Sequence, residues 1–327
     1  MLLQELIKII KSRNVCFYTT CKYYYQHIDI FYRIYMVDWQ SNLLIAIKFN
    51  RDIIVDNVLV VKSNKNMFNI DDIDDINNIY YNKIQCIRNC TQGNDLPVNL
   101  KTLHFDDTFN DPVDLTYMIH LKFVRFGKKF DHPLEGKLPT NLKVLEFSRH
   151  SIFSYSINLS HTQCKRLTLG TKCNNTLILP DTLETLILGF NYVQNITHLP
   201  SQLRYLDLGY RFNHDIDFST CVNLRILRLS HYYNHSLDSK LPESLQHLKI
   251  GAKIIHPIIY LPDNIHTIVK YNSAPIYYPK NLKNLYIHNK HPPINITDLP
   301  MSLKYLFINL TKINVDNYRQ LECSSTK

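Results

Sequence analysis

Glycine is scarce in this chain, with seven residues among 327. Phosphate-cradling loops need closely spaced glycines whose backbone can approach the ligand, so this scarcity weighs against a nucleotide-binding enzyme. None of the eight cysteines forms a Cys-x-x-Cys pair. Zinc sites usually draw on two close pairs of soft ligands, so no metal is expected, nor any other cofactor. The cysteines lie scattered without pattern, as in a reduced, intracellular protein. No run approaches the ~20 apolar residues of a membrane-spanning helix. Gln4, Glu5, Lys8 and Lys11 interrupt the apolar amino-terminal stretch, which argues against a signal-peptide core. Catalytic patterns are missing as well. The fifteen histidines include no HExxH, HxE or nucleophile-elbow context, and His231, His235, His288 and His291 read as surface-loop residues. The acidic run 71–76 lacks the glycine and terminal glutamate of a calcium loop and reads as a solvated segment. These absences weigh against most enzyme classes and against a membrane-spanning helix, and a cytoplasmic binding protein is expected. The net charge of +9 accompanies a composition rich in Asn, Ile, Lys and Tyr and is read mainly as lysine-rich coding bias.

What the chain does contain is a repeat. The segment from Leu199 to Ile216, LPSQLRYLDLGYRFNHDI, recurs with variations. Its core L-x-x-L-x-L begins at Leu100, Leu121, Leu142, Cys164, Leu183, Leu203, Leu224, Leu245, Ile265, Leu282 and Leu303, eleven copies spaced 17 to 22 residues apart. The fourth position is apolar throughout, the sixth in every copy but that with Lys270, and the seventh is often Gly or Ser. A Leu-Pro pair precedes many copies, as at Leu96, Leu138 and Leu199, and an aromatic-Asn pair follows several, as at Phe109-Asn110, Phe212-Asn213 and Tyr233-Asn234. An apolar anchor such as Val113, Leu134, Ile196 or Leu237 comes four residues after the aromatic position.

Alternation of period two predicts a short strand with leucines inward. Gly or Ser ends it at the turn, and Pro opens it by excluding helix at the preceding residue. About twenty residues is too short for a strand plus a full helix with two loops, so the return segment is expected to be extended or a single helical turn. One coil cannot bury its own leucines, whereas stacked coils can. The copy from Ile265 is short and places Lys270 inward, which predicts a local irregularity or lost turn there.

Stacking aligns the second position into a ladder that includes Lys101, Lys122, Lys143, Lys165, Arg204, Arg225, Lys283 and Lys304. Such a stripe can contact phosphates with steep salt sensitivity. It is read here as a solvated edge or a contact for an acidic protein, in preference to a nucleic-acid surface. The third and fifth positions should face the concave surface, and toward the carboxyl end they turn apolar or aromatic. Tyr205, Ile226, Tyr286, Tyr305 and Phe307 are the candidate partner-binding residues, since exposed aromatics are enriched at binding hot spots.

The unit LPxxLxxLxLGxxFNxxI of residues 199–216 resembles the FNIP repeat, a leucine-rich-repeat relative abundant in social amoebae and in giant viruses of amoebae. The resemblance covers about two thirds of the chain. It implies a leucine-rich-repeat-like solenoid over 96–313 that binds a protein, in the host-cell cytoplasm for a viral copy. In residues 1–40, Leu3, Leu6, Ile7 and Ile10 recur at helical spacing, and two or three short amphipathic helices are expected. Arrays of this family commonly follow an F-box, and Thr20, Cys21, Lys22, Tyr23 and Tyr24 resemble its Thr/Ser-Cys-Lys-x-Phe/Tyr end. The resemblance implies docking on the Skp-type linker subunit of a cullin ubiquitin ligase. Met1 falls where the leading Leu-Pro of that motif should already have passed, so the box is degenerate or its start truncated. The alternative is that these helices cap the open end of the solenoid. Residues 41–95 form a connecting region with a strand expected within 53–62, and 314–327 form a tail.

Overall fold

The computed structural model describes residues 34–37, 44–47, 58–60, 85–91, 93, 96–288 and 299–314. The segment Thr20–Tyr24, most of the expected amino-terminal helices and the acidic run 71–76 lie outside the described residues. The chain divides into two compact units, Met1–Phe153 and Ser154–Lys327.

In the first unit β1 (Ile34–Val37) and β2 (Leu44–Ile47) pair antiparallel. The end of the region expected to be helical is therefore strand. The run Ile-Tyr-Met-Val is β-branched and aromatic, and such residues favour pairing across strands. β3 (Val58–Val60), β4 (Cys86–Cys90), β5 (Thr102–Phe105), β6 (Phe123–Phe126) and β7 (Val144–Phe147) form a parallel sheet in sequence order. β3 lies inside the strand expected in 53–62. β4 adds a coil that the repeat count misses. Its register shifts between Ile87 and Cys90, and Asn89 sits at φ 55, a bulge that breaks the period-two pattern.

The second unit contains β8 (Ile157–Asn158) and β10 (Leu177–Ile178), a short parallel pair on the return side. Its main sheet runs β9 (Arg166–Thr168), β11 (Thr185–Ile187), β12 (Tyr205–Asp207), β13 (Ile226–Arg228), β14 (His247–Ile250), β15 (Thr267–Lys270), β16 (Asn284–Ile287) and β17 (Tyr305–Ile308), all parallel. β18 (Thr311–Ile313) closes it antiparallel, through a turn whose Asn309 and Leu310 both have positive φ. Every one of the eleven sequence copies thus carries a strand, and the fold is a leucine-rich-repeat-like β-solenoid with coils of about 21 residues. Among the described residues no return segment is helical.

The repeat positions acquire distinct physical roles. Residues at the first and fourth positions are inward, none more than 4% exposed. Each such leucine contributes about 1.5–3 kcal/mol before chain entropy is counted. The Leu-Pro pair opens a turn in which the proline carbonyl accepts the N–H three residues on, as in Leu203 to Pro200 and Leu245 to Pro242, both 3.1 Å. The asparagine after the aromatic caps the next coil. Asn110 Oδ1 accepts the Asp131 N–H at 2.8 Å, Asn213 that of Asn234 at 2.9 Å, and Asn234 that of Ile255 at 3.1 Å. Histidines two residues beyond the aromatic bond back to the preceding coil. His132 reaches the Asn110 carbonyl at 2.9 Å and His235 that of Asn213 at 3.1 Å, so His235 serves coil stacking.

In the first unit, Phe105, Phe126 and Phe147 interleave with Phe109, Phe130 and Phe153 as a stack of rings. Phe126 and Phe130 lie 4.0 Å apart and Phe130 and Phe153 6.0 Å. The copy at Leu142 lacks the Phe-Asn pair, and Phe153, two residues late, fills the space. In the second unit Tyr192, Phe212 and Tyr233 hold the equivalent position, all fully buried, and the Tyr192 hydroxyl has no hydrogen-bond partner among the described residues. An unpaired buried hydroxyl costs about 1–3 kcal/mol. Tyr192→Phe is expected to raise stability by about 1 kcal/mol, read as a higher urea midpoint at unchanged slope. A lower midpoint would show that the hydroxyl has a partner after all.

No turn is lost near residue 270. β15 runs through Lys270 and pairs with both neighbours. Lys270 stays inward at 5% exposure, and its ammonium donates to the Ala274 carbonyl at 2.6 Å. The long side chain bends to a local acceptor, and the coil closes around it.

Candidate interaction face

The second-position ladder exists as a backbone stack. The Lys122 N–H donates to the Lys101 carbonyl at 2.9 Å and Lys143 to Lys122 at 2.8 Å. In the second unit Arg204 donates to Glu184 at 2.8 Å, Arg225 to Arg204 at 2.9 Å and Lys304 to Lys283 at 2.9 Å. The side-chain charge is less uniform than the backbone. Glu184 accepts from Lys165 at 2.6 Å and faces Arg204 at 3.8 Å, and the hydrogen bond from Lys165 holds its carboxyl below the usual range. Gln246 and His266 separate Arg225 from Lys283 and Lys304. Exposed pairs of this kind contribute little stability.

The third and fifth positions of each strand point away from the core because residues two apart share a face. Parallel register then sets neighbours. Tyr205 lies beside Ile226, Ile226 beside His247, and His247 beside Thr267. In the adjacent row Asp207, Arg228, Lys249, Val269, Tyr286 and Phe307 follow one another. Of the five predicted partner residues, Tyr205 and Ile226 are paired at one end. Tyr286, Tyr305 and Phe307 cluster at the other, with Tyr286 and Phe307 stacked at 4.9 Å and 9°. Tyr305 is 45% exposed, and Lys312 of β18 lies over its ring at 5.0 Å.

A groove of about 220 Å³ opens over β12–β15 and includes the first of these clusters. Tyr205, Ile226, Arg228, His247, Lys249 and Val269 line it. The charged members were not singled out in the sequence, where a basic residue at an outward position reads as a solvated one. Arg228 approaches Asp207 at 3.5 Å and sits 6.0 Å from the centre of the Tyr205 ring. Lys249 lies 5.4 Å above the Tyr271 ring. His247 meets His266 edge to face at 4.6 Å, and burial, reinforced by His266, lowers its pKa. In the first unit His104 stacks on Phe123 at 4.8 Å, and burial together with Arg88 and Arg125 pushes its ring down to about 4.

Among the described residues no group of three or more His, Cys, Asp or Glu side chains could hold a metal ion, and no helix is long and apolar enough to cross a membrane. No family model matches the chain, and no curated protein matches it. Among solved structures the chain is similar to CroV588, described as a novel circular LRR protein structure, with 21% identity and a TM-score of 0.41. That similarity takes in 69% of this chain and 46% of the other, so this chain spans about half the length of that protein.

Proposed function

We propose that the chain is a non-enzymatic binding protein whose outward strand face in the second unit docks another protein. One observation carries this reading: Tyr205, Ile226, Tyr286, Tyr305 and Phe307 stand partly exposed in two adjoining rows on a rigid parallel sheet, each held at its base by a buried leucine or isoleucine neighbour. Rigid, half-exposed aromatics are enriched at hot spots because ordering them on binding costs little entropy. The rows need no catalytic group, and the face converges on none.

The finer reading is a FNIP-repeat adaptor that recruits a substrate to a cullin-type ubiquitin ligase. It rests on the repeat unit of residues 199–216 and on the resemblance of Thr20–Tyr24 to the end of an F-box. A scaffold without a ligase link is the alternative. Co-purification from amoebal cells with the full chain, a Tyr205→Ser/Tyr286→Ser/Phe307→Ser variant and a Thr20→Asp/Tyr24→Asp variant separates the two. A partner bound more than tenfold more weakly by the triple variant locates docking on the strand face. The Skp-type linker, recovered with the wild type and lost only from the Thr20/Tyr24 variant, supports the adaptor. Its absence from every sample leaves the scaffold, and a partner indifferent to the triple variant sinks the face assignment.

A further inference from the structure

The groove over β12–β15 has a chemistry of its own. From β9 to β17 the two outward rows carry three cations, Arg166, Arg228 and Lys249, against a single carboxylate, Asp207. That carboxylate is already engaged: its Oδ1 accepts the Gly209 N–H at 3.0 Å and its Oδ2 faces Arg228 at 3.5 Å. Among the described residues no carboxylate lies within ion-pairing distance of Lys249, whose ammonium is held only above a tyrosine ring. Arg228 is half exposed, directs one nitrogen to Asp207 and also donates to the Tyr205 hydroxyl, which anchors its guanidinium at the wall of the groove. Arg228 and Lys249 are therefore register neighbours in one row, adjacent to an occupied anion, with Ile226 two residues before Arg228 on β13 and Val269 following Lys249 on β15.

We propose that this groove is a subsite for an acidic segment of a protein partner: one aliphatic or aromatic side chain seats against Ile226, and a neighbouring Asp or Glu carboxylate is taken by Arg228 and Lys249. The inference rests on the reading of the strand face as a protein-docking surface. Size and charge both select this occupant. About 220 Å³ is below the ~300–1,000 Å³ of sites that enclose a whole small ligand, but it suits one protruding side chain. Planar guanidinium nitrogens match a carboxylate bidentately, and desolvation by the flanking aliphatic groups strengthens the contact. A nucleic acid fits less well. Single strands bind by stacking bases on open ring faces, and here Arg228 covers the Tyr205 ring while Lys249 covers that of Tyr271.

Selection of a random-sequence peptide display library on the immobilised full-length chain tests the assignment, with Arg228→Gln/Lys249→Gln and Ile226→Asp variants as counter-targets. All three substituted positions are at least partly exposed, and matched melting temperatures would confirm that each variant is folded. The expected peptides place Asp or Glu beside Leu, Ile or Phe, lose both counter-targets, and weaken at least tenfold in fluorescence anisotropy when their acidic residues become amides. Peptides that are lost on Ile226→Asp but are neutral or basic, or that ignore the Gln variant, overturn the acidic subsite and leave the docking face standing. If no selected peptide distinguishes the wild type from Ile226→Asp, the docking face fails and the subsite with it. A labelled oligothymidylate of about 15 nucleotides that depends on Arg228 and Lys249 and outcompetes the peptides would reassign the groove to nucleic acid and likewise overturn the proposal.

Discussion

Lys270→Met is expected to raise stability at neutral pH by about 1–3 kcal/mol and to remove a pH dependence that the parent protein shows. The Lys270 ammonium is buried in the coil from Ile265 with a carbonyl, and no counter-charge, as its hydrogen-bond partner among the described residues. Burial lowers its pKa from 10.5 to about 8. Below pH 8 the group is charged in both the folded and unfolded chain, and the cost of burying that charge is present in full. Between about 8 and 10.5 the folded chain releases the proton while the unfolded chain still holds it. The unfolded state then binds more protons, so stability rises with pH across that window. Methionine is similar in length and adaptable in shape, though it leaves the Ala274 carbonyl without its donor, which trims the gain. Urea midpoints for both proteins at pH 7, 8, 9 and 10 make the test. The difference between them should shrink as pH rises, and a difference independent of pH would show that the buried lysine keeps its proton over this range, with its pKa not lowered.

Gly251→Ala should act in the opposite direction, with a loss of about 3 kcal/mol or more. Its backbone passes so close to the preceding coil that an added Cβ would meet the Ser230 carbonyl oxygen at 1.8 Å and the Ser230 carbonyl carbon at 2.8 Å. Those atoms are backbone, so no rotamer change relieves the clash, and the two coils must separate. The seventh position is not glycine everywhere. Ser230 itself occupies it one coil earlier and donates its hydroxyl to the Phe212 carbonyl. Ser230→Ala keeps the Cβ and removes only that hydrogen bond, for a loss of about 1 kcal/mol. Thermal or urea unfolding of the two variants side by side distinguishes close approach from lost hydrogen bonding. Comparable losses would mean that this coil tolerates a side chain at residue 251.

Much of the solenoid was legible because its two periods are local. Alternation along the strand identifies the fourth and sixth positions as inward, and repetition about every 21 residues stacks them, so all eleven strands fall where the copies predict. Legibility failed where a coil departs from the pattern yet closes anyway. Cys86–Cys90 escaped because the bulge at Asn89 disrupts its alternation, and Phe153 replaces a missing aromatic from two residues further on. The expected lost turn near Lys270 did not occur, since the chain offered the ammonium a carbonyl only four residues away. Ile34–Val37 lay at the end of the region expected to be helical, yet its β-branched and aromatic residues pair across strands with 44–47.

The candidate face was half legible for the same reason. Which residues point outward follows from parity along one strand, so Tyr205, Ile226, Tyr286, Tyr305 and Phe307 were identifiable one by one. Which of them meet depends on register between strands some twenty residues apart and on how long side chains lie across their neighbours. Arg228 over Tyr205, Lys249 over Tyr271 and the engagement of Asp207 are outcomes of that lateral packing. The sequence by itself determined the coil, its strand and its inward residues, because burial is dictated by short-range alternation. Only the tertiary structure decided the groove and its charge, because side chains in successive coils become neighbours through stacking alone.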